Sequence, residues 1–115
     1  MTDIQAGGCL RLASATATSD IVAGVFHVLT LTYLQSTGVV DQTRPAHLDW
    51  IKDEVARGRL ILTGRLESQT GGVLITGDIS TEDAESLMAN DPYQLAGLVR
   101  YDRVGFTGGA RAPGL

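Results

Sequence analysis

Arg44-Pro45-Ala46-His47-Leu48-Asp49-Trp50 opens the clearest helix of this 115-residue chain and sets one of its two histidines in the first turn. Proline holds φ near the helical value and lacks the N–H that a first-turn residue leaves unpaired, so Pro45 suits the first helical position with Thr43 or Arg44 capping. Pro45 also drives Arg44 towards an extended backbone, which sharpens the boundary. Leu48, Ile51 and Val55 recur at i, i+3 and i+7 and, at about 100° per residue, form one narrow apolar stripe. That stripe is expected to face a core, with His47 beside it and Trp50 and Glu54 just past it on the same side. Gly58 ends the helix, and Arg57 in the last turn suits its dipole, which predicts a helix over 45–57. A residue on the border of a buried face reaches both a cavity and water. His47 is therefore either a packed histidine bonded to some carbonyl or part of a site.

A second stretch, Asn90-Asp91-Pro92-Tyr93, answers the first from the C-terminal half. Ser80 can cap a helix whose buried stripe is Ala84, Leu87 and Met88, with Asp83 in the place of a capping-box partner. Continued to i+7 from Ala84, the wheel would point Asp91 at the core, but Pro92 disfavours the helical region for the residue before it. The simplest reading makes Asp91 an N-cap and Pro92 the first residue of a short turn that Gly97 closes. A carboxylate has two oxygens, so this cap does not prevent Asp91 from also facing His47.

The remaining segments read as strands. Residues 25–34 are β-branched, aromatic or aliphatic almost throughout; Phe26, Val28, Thr30, Thr32 and Leu34 take one face and Val25, His27, Leu29, Leu31 and Tyr33 the other. Both faces are largely apolar and both need cover, and His27 reads as a packed or sheet-surface residue. Residues 35–42 form a polar connection containing Gly38. Residues 60–66 make a second strand in which Gly64 signals a bulge or a close backbone approach. A loop over 67–72 leads to a third strand over 73–78, a hairpin partner of the second, and a last strand covers 98–106.

The length suits one domain with a modest core. A single cysteine, Cys9, leaves no internal disulfide and no clustered zinc ligands, which suggests the cytoplasm. Neither a leader nor a membrane span is legible, and a net charge of −4 without a basic cluster argues against nucleic acid or membrane as partner. Fourteen glycines imply many turns and room near the backbone for a ligand. Residues 1–22, poor in large apolar groups apart from a short candidate strand over 9–12, read as a flexible extension, 23–107 as the domain and 108–115 as a tail.

Strand, helix, strand, strand, helix, strand is the ferredoxin-like βαββαβ order of an α+β protein: a four-stranded antiparallel sheet with two helices on one face. Two helices cover one side only. A second copy of the bare face is the simplest closed solution, so a homodimer is expected.

Residues 26–106 also resemble the YciI-like, or YCII-related, proteins of the dimeric α+β barrel superfamily. The resemblance rests on Arg44-Pro45-Ala46-His47-Leu48, Gly58-Arg59-Leu60, Gly64, Thr81-Glu82-Asp83-Ala84, and Asp91-Pro92-Tyr93 followed by Ala96-Gly97. It implies dimerisation into an α+β barrel and an active-site pair that maps onto His47 and Asp91. The family usually has proline after the glycine of the second strand, where this chain has Arg65. If Arg65 points into the cleft, it favours an anionic substrate.

A histidine bonded to a carboxylate has its tautomer fixed and its cation stabilised, which suits general acid–base catalysis. No nucleophile, phosphate-binding glycine loop or metal-ligand set is marked, so neither cofactor nor metal is expected. The expectation is a cofactor-independent lyase or isomerase acting on a small cyclic or aromatic metabolite, and the resemblance brings to mind removal of HCl from chlorinated hydroxyquinones. Tyr33, Arg44, Thr63, Arg65 and Tyr93, with Tyr101, are candidates for lining the substrate pocket. The alternative is a non-catalytic dimeric module that binds a small ligand or serves a neighbouring enzyme. Cofactor-free oxygenation and haem binding occur on related barrels, and His27 alone supports the latter thinly.

Overall fold

A computed structural model describes residues 24–115; the expected extension over 1–22, including the candidate strand over 9–12, lies outside the described residues. In chain order the elements are β1 (Val25–Tyr33), α1 (Thr37–Asp41), α2 (Arg44–Ala56), β2 (Leu60–Arg65), β3 (Gly71–Thr76), α3 (Thr81–Asn90), α4 (Pro92–Leu95) and β4 (Val99–Thr107). The strands form one four-stranded sheet in the order β2-β3-β1-β4, the ferredoxin-like arrangement, with β3 antiparallel to both β1 and β2. Residues Val25–Phe106 make one compact unit. In the other unit, Gly108 N donates to Gly24 O at 2.8 Å and Leu115 N to Ala112 O at 3.2 Å.

Alternation along β1 sorts its residues as the pattern predicts. His27, Leu29 and Leu31 are buried on the helix-covered face, where Leu29 pairs with Leu74 and Leu31 with Gly72. Leu60, Leu74, Leu87, Tyr93, Val99 and Val40 complete the core. The other face carries the pairs Val28–Ile75 and Thr30–Val73 and a Phe26–Phe106 stack at 5.9 Å. Val104 and Phe106 on β4 remain 65% and 46% exposed, so an apolar strip of the sheet lies open.

Three local expectations need correction. Within the connection over 35–42 there is a helix, α1: Ser36 Oγ accepts from Val39 N at 3.3 Å and Val40 is wholly buried beneath it. Gly38, a poor helix residue, hides that turn from a sequence reading. The strand irregularity falls between Leu60 and Leu62, while Gly64 pairs regularly with Val73, and a Cβ on Gly64 would meet nothing within 4 Å. The close approach is at Gly71, whose Cβ would stand 2.1 Å from Leu31 O; β3 therefore begins inside the stretch read as loop.

The third correction concerns α2. Its buried residues are His47 and Glu54, with Trp50 and Ile51 packed on the core, whereas Leu48 and Val55 are 40% and 45% exposed. The helix is thus rotated by about one position from the apolar stripe. Polar side chains occupy buried positions without penalty only when their hydrogen bonds are made. Glu54 makes them with Arg59, whose Nε and Nη2 donate at 2.7 and 2.8 Å, and this charge partner raises the guanidinium pKa. His47 makes its own bond with Asp91.

Candidate active site

Helix α2 begins where Pro45 predicts, and its first turn carries His47 inward; His47 N donates to Thr43 O at 3.1 Å. Helix α3 stops at Asn90 because Asp91, ahead of Pro92, is extended at φ −62° and ψ 126°. Asp91 caps α4 by accepting from Tyr93 N at 2.9 Å, and Gly97 at φ +70° follows that turn. The same oxygen, Oδ1, accepts from His47 Nδ1 at 2.7 Å. Oδ2 accepts from the Tyr101 hydroxyl on β4. Asp91 is thus fully buried, and it serves as helix cap and histidine partner together.

The electrostatics follow from this wiring. A buried carboxylate is costly unless donors surround it, and here three do. Burial, then the adjacent Asp91 charge, pushes the Tyr101 phenol well above its usual range, so it stays a donor. With Nδ1 donating to Asp91, the neutral imidazole carries its proton there, and Nε2 is left as the basic nitrogen. The Tyr93 ring stacks on the imidazole at 3.9 Å and 12°, which limits its rotation.

His47 lines a cavity of about 230 Å³, as do Tyr33, Arg44, Thr63, Arg65 and Tyr93, all residues singled out from the sequence. Asp91 does not line it and stands behind His47. Tyr101 is not among the lining residues either; it grips Asp91 from the far side, which corrects its expected place in the pocket. Leu31, Leu48, Ile51 and Leu74 supply apolar walls, and of these Leu48 and Ile51 belong to the stripe expected to face the core. Arg65 does point into the cleft: its Nε donates to the Tyr33 hydroxyl at 3.0 Å and its Nη2 to Asp41 at the end of α1. These bonds raise the Arg65 pKa, the Asp41 bond foremost. No spacing in the sequence could have linked Asp41 to Arg65, since the contact depends on the unpredicted α1.

His27 sits apart from the cavity, fully buried. Its Nε2 donates to Ile79 O at 3.0 Å and its Nδ1 accepts from Arg103 Nη1 at 3.3 Å, the pattern of a packed residue. Among the described residues no three His, Cys, Asp or Glu side chains cluster to hold a metal, and no helix is long and apolar enough to cross a membrane.

No curated protein sequence matches the chain. Among solved structures it is similar to the 5-chloro-2-hydroxyhydroquinone dehydrochlorinase of Burkholderia phenoliruptrix AC1100, determined in complex with 2,5-dihydroxybenzoquinone, at 22% identity and a TM-score of 0.56. The match covers 71% of this chain and 90% of that one, and at this identity it speaks for the fold. The model of the YCII-related domain matches residues 25–104, which takes in the whole arrangement from β1 into β4 and both stretches that supply His47 and Asp91. The chain therefore belongs to the YCII-related domain family.

Proposed function

We propose that the protein is a cofactor-independent lyase or isomerase in which His47 moves a proton on a small cyclic or aromatic metabolite and Asp91 holds the imidazole in the required tautomer. The observation that carries this reading is the 2.7 Å contact between His47 Nδ1 and a buried carboxylate, which leaves Nε2 for the cavity. A positioned base of this kind is worth about 10²- to 10⁴-fold in rate.

Elimination of HCl from a chlorinated hydroxyquinone is the reaction most in keeping with the site, and the dehydrochlorinase with its bound dihydroxybenzoquinone supports it by likeness. Nε2 takes the proton of a ring hydroxyl, and the negative charge spreads onto ring carbon. Returning that proton to the chlorine-bearing carbon makes it tetrahedral. A second, conjugated hydroxyl then loses its proton as chloride departs with the bonding pair, so HCl leaves and a quinone forms without any external electron acceptor. Asp91 stabilises the imidazolium that exists between the two proton transfers.

The test is chloride release from 5-chloro-2-hydroxyhydroquinone by the natural protein, His47→Gln and Asp91→Asn. Turnover that falls about 100-fold or more in His47→Gln, with the fold intact by circular dichroism, is the expected result. Absent turnover, or turnover indifferent to His47, would favour the non-catalytic binding module.

The same reading makes the protein a homodimer through the open sheet face. Support comes from the apolar strip of Val28, Val73, Ile75, Val104 and Phe106, which no helix covers among the described residues. Sedimentation should find two copies in the natural protein and one in Val104→Glu; a monomeric natural protein would remove this part of the proposal.

A further inference from the structure

The chain has a formal net charge of −4, yet the charged residues lining the cavity are Arg44 and Arg65, and no Asp or Glu lines it among the described residues. Asp91 is spent on His47, Tyr93 and Tyr101, and Asp41 meets Arg65 without lining the cavity.

Arg44 is the sharper observation. It is half-buried, and among the described residues it makes neither an ion pair nor a side-chain hydrogen bond. It also stands at the first position of α2, where the helix dipole is positive, no acid occupies the first turn, and the Thr43 side chain supplies no cap. A cation there is disfavoured on local grounds.

Arg65 has donors to spare. A guanidinium carries five N–H groups, and Tyr33 and Asp41 engage Nε and Nη2, so donors remain for a ligand. Both cations line the cavity together with Tyr93, whose phenol is pushed up foremost by burial and then by the neighbouring Tyr33 phenol, while the charges of Arg44 and Arg65 pull it down. The imidazole of His47, stacked on the same tyrosine ring, marks the neighbouring part of the wall.

We propose that the cavity selects an anion: a small hydroxylated ring whose carboxylate is held by Arg44 and Arg65 while a ring hydroxyl meets Nε2 of His47. The placing of the hydroxyl rests on the proton-transfer reading above; the anion clamp stands on the lining alone. A planar fork of guanidinium donors matches a carboxylate, and two of them beside apolar walls hold it more tightly than water does. A cavity of about 230 Å³ is smaller than the roughly 300–1,000 Å³ of sites for drug-sized ligands, which limits the ligand to a single ring.

The experiment is calorimetric titration of the full chain, at neutral pH, with 2,5-dihydroxybenzoate and with 2,5-dihydroxybenzamide, which has nearly the same shape and no charge. The carboxylate should bind at least about 10-fold more tightly, the lower end for a charge-assisted hydrogen bond, and the preference should shrink at high salt. Arg44→Met should abolish the preference while leaving amide affinity within about 3-fold, since only the charge contact is lost. Arg65→Met should do the same, with melting curves to report any loosening of α1. Equal binding of the two probes, a carboxylate that does not bind at millimolar concentration, or a preference that survives in Arg44→Met would each overturn the proposal. His47→Gln separates this from the catalytic reading: it should keep the carboxylate preference and lose turnover. A lost preference with His47-dependent turnover intact defeats the clamp alone, and an intact preference without turnover of the chlorinated ring defeats the dehydrochlorination reading alone.

Discussion

Replacing Asp91 by alanine should cost far more than the loss of a helix cap. As a cap alone, Asp91 would be worth about 1 kcal/mol, the usual cost of replacing such a residue by alanine. In the structure, however, its two oxygens accept from Tyr93 N, His47 Nδ1 and the Tyr101 hydroxyl, and the residue is wholly buried. Alanine would leave all three donors without a partner. Each such group costs about 1–3 kcal/mol. The three share one acceptor and will not add fully, so the expected loss is about 3–6 kcal/mol, a large part of the roughly 5–15 kcal/mol that holds a domain together. Asp91→Asn should be much milder, about 1–2 kcal/mol, because the amide oxygen can keep the bonds of Oδ1 while the Tyr101 hydroxyl turns to accept from the amide nitrogen. Urea unfolding followed by the fluorescence of the single tryptophan, Trp50, measures both. At a slope of about 1.5 kcal/mol/M, a loss of 3 kcal/mol lowers the midpoint by about 2 M. If Asp91→Ala loses no more than about 1 kcal/mol, or no more than Asp91→Asn, then Asp91 is only a cap and the network around it carries little energy.

Further outcomes follow from other parts of the molecule. Gly71→Ala should abolish soluble folding or cost at least about 3 kcal/mol, since its Cβ would stand 2.1 Å from Leu31 O, whereas Gly64→Ala, with open space around it, should melt within a few degrees of the natural protein. In long-range proton–nitrogen spectra with both rings neutral, the two histidines should be opposite tautomers: His47 protonated on Nδ1 towards Asp91, and His27 on Nε2 towards Ile79 O. A His47 ring protonated on Nε2 alone would contradict the assigned hydrogen bond. Stability should also fall on the alkaline side. The partly buried Tyr101 phenol is raised, so above about pH 10 the unfolded chain gives up a proton that the folded one keeps. The contribution is full below that pH and is lost as pH rises through the folded value. Tyr101→Phe should flatten this limb in urea midpoints taken across the alkaline range, with the smaller share from Tyr93 remaining; identical slopes in the two proteins would refute it.

Local chemistry alone determined much of the scaffold. β-Branched runs marked β1 and its two apolar faces, Pro45 and Gly58 bounded α2, Ser80 opened α3, and Pro92 forced Asp91 out of the helix and into a cap. Each of these signals acts within a few residues, through steric limits on φ and ψ or through one short hydrogen bond, and therefore survives in the bare sequence. Which face of α2 is buried was decided elsewhere. Periodicity reports where apolar groups lie, and it favoured Leu48 and Val55; the folded chain buries His47 and Glu54 because Asp91 and Arg59 satisfy them. A polar group can be buried only when its partner arrives, and for His47 that partner is 44 residues away. The need for glycine at Gly71 likewise comes from the carbonyl of Leu31 on the neighbouring strand. Arg65, Tyr33 and Asp41, and Tyr101 behind Asp91, meet only once the sheet and α1 have formed, since their contacts are set by strand register and helix docking and leave no trace in spacing along the chain.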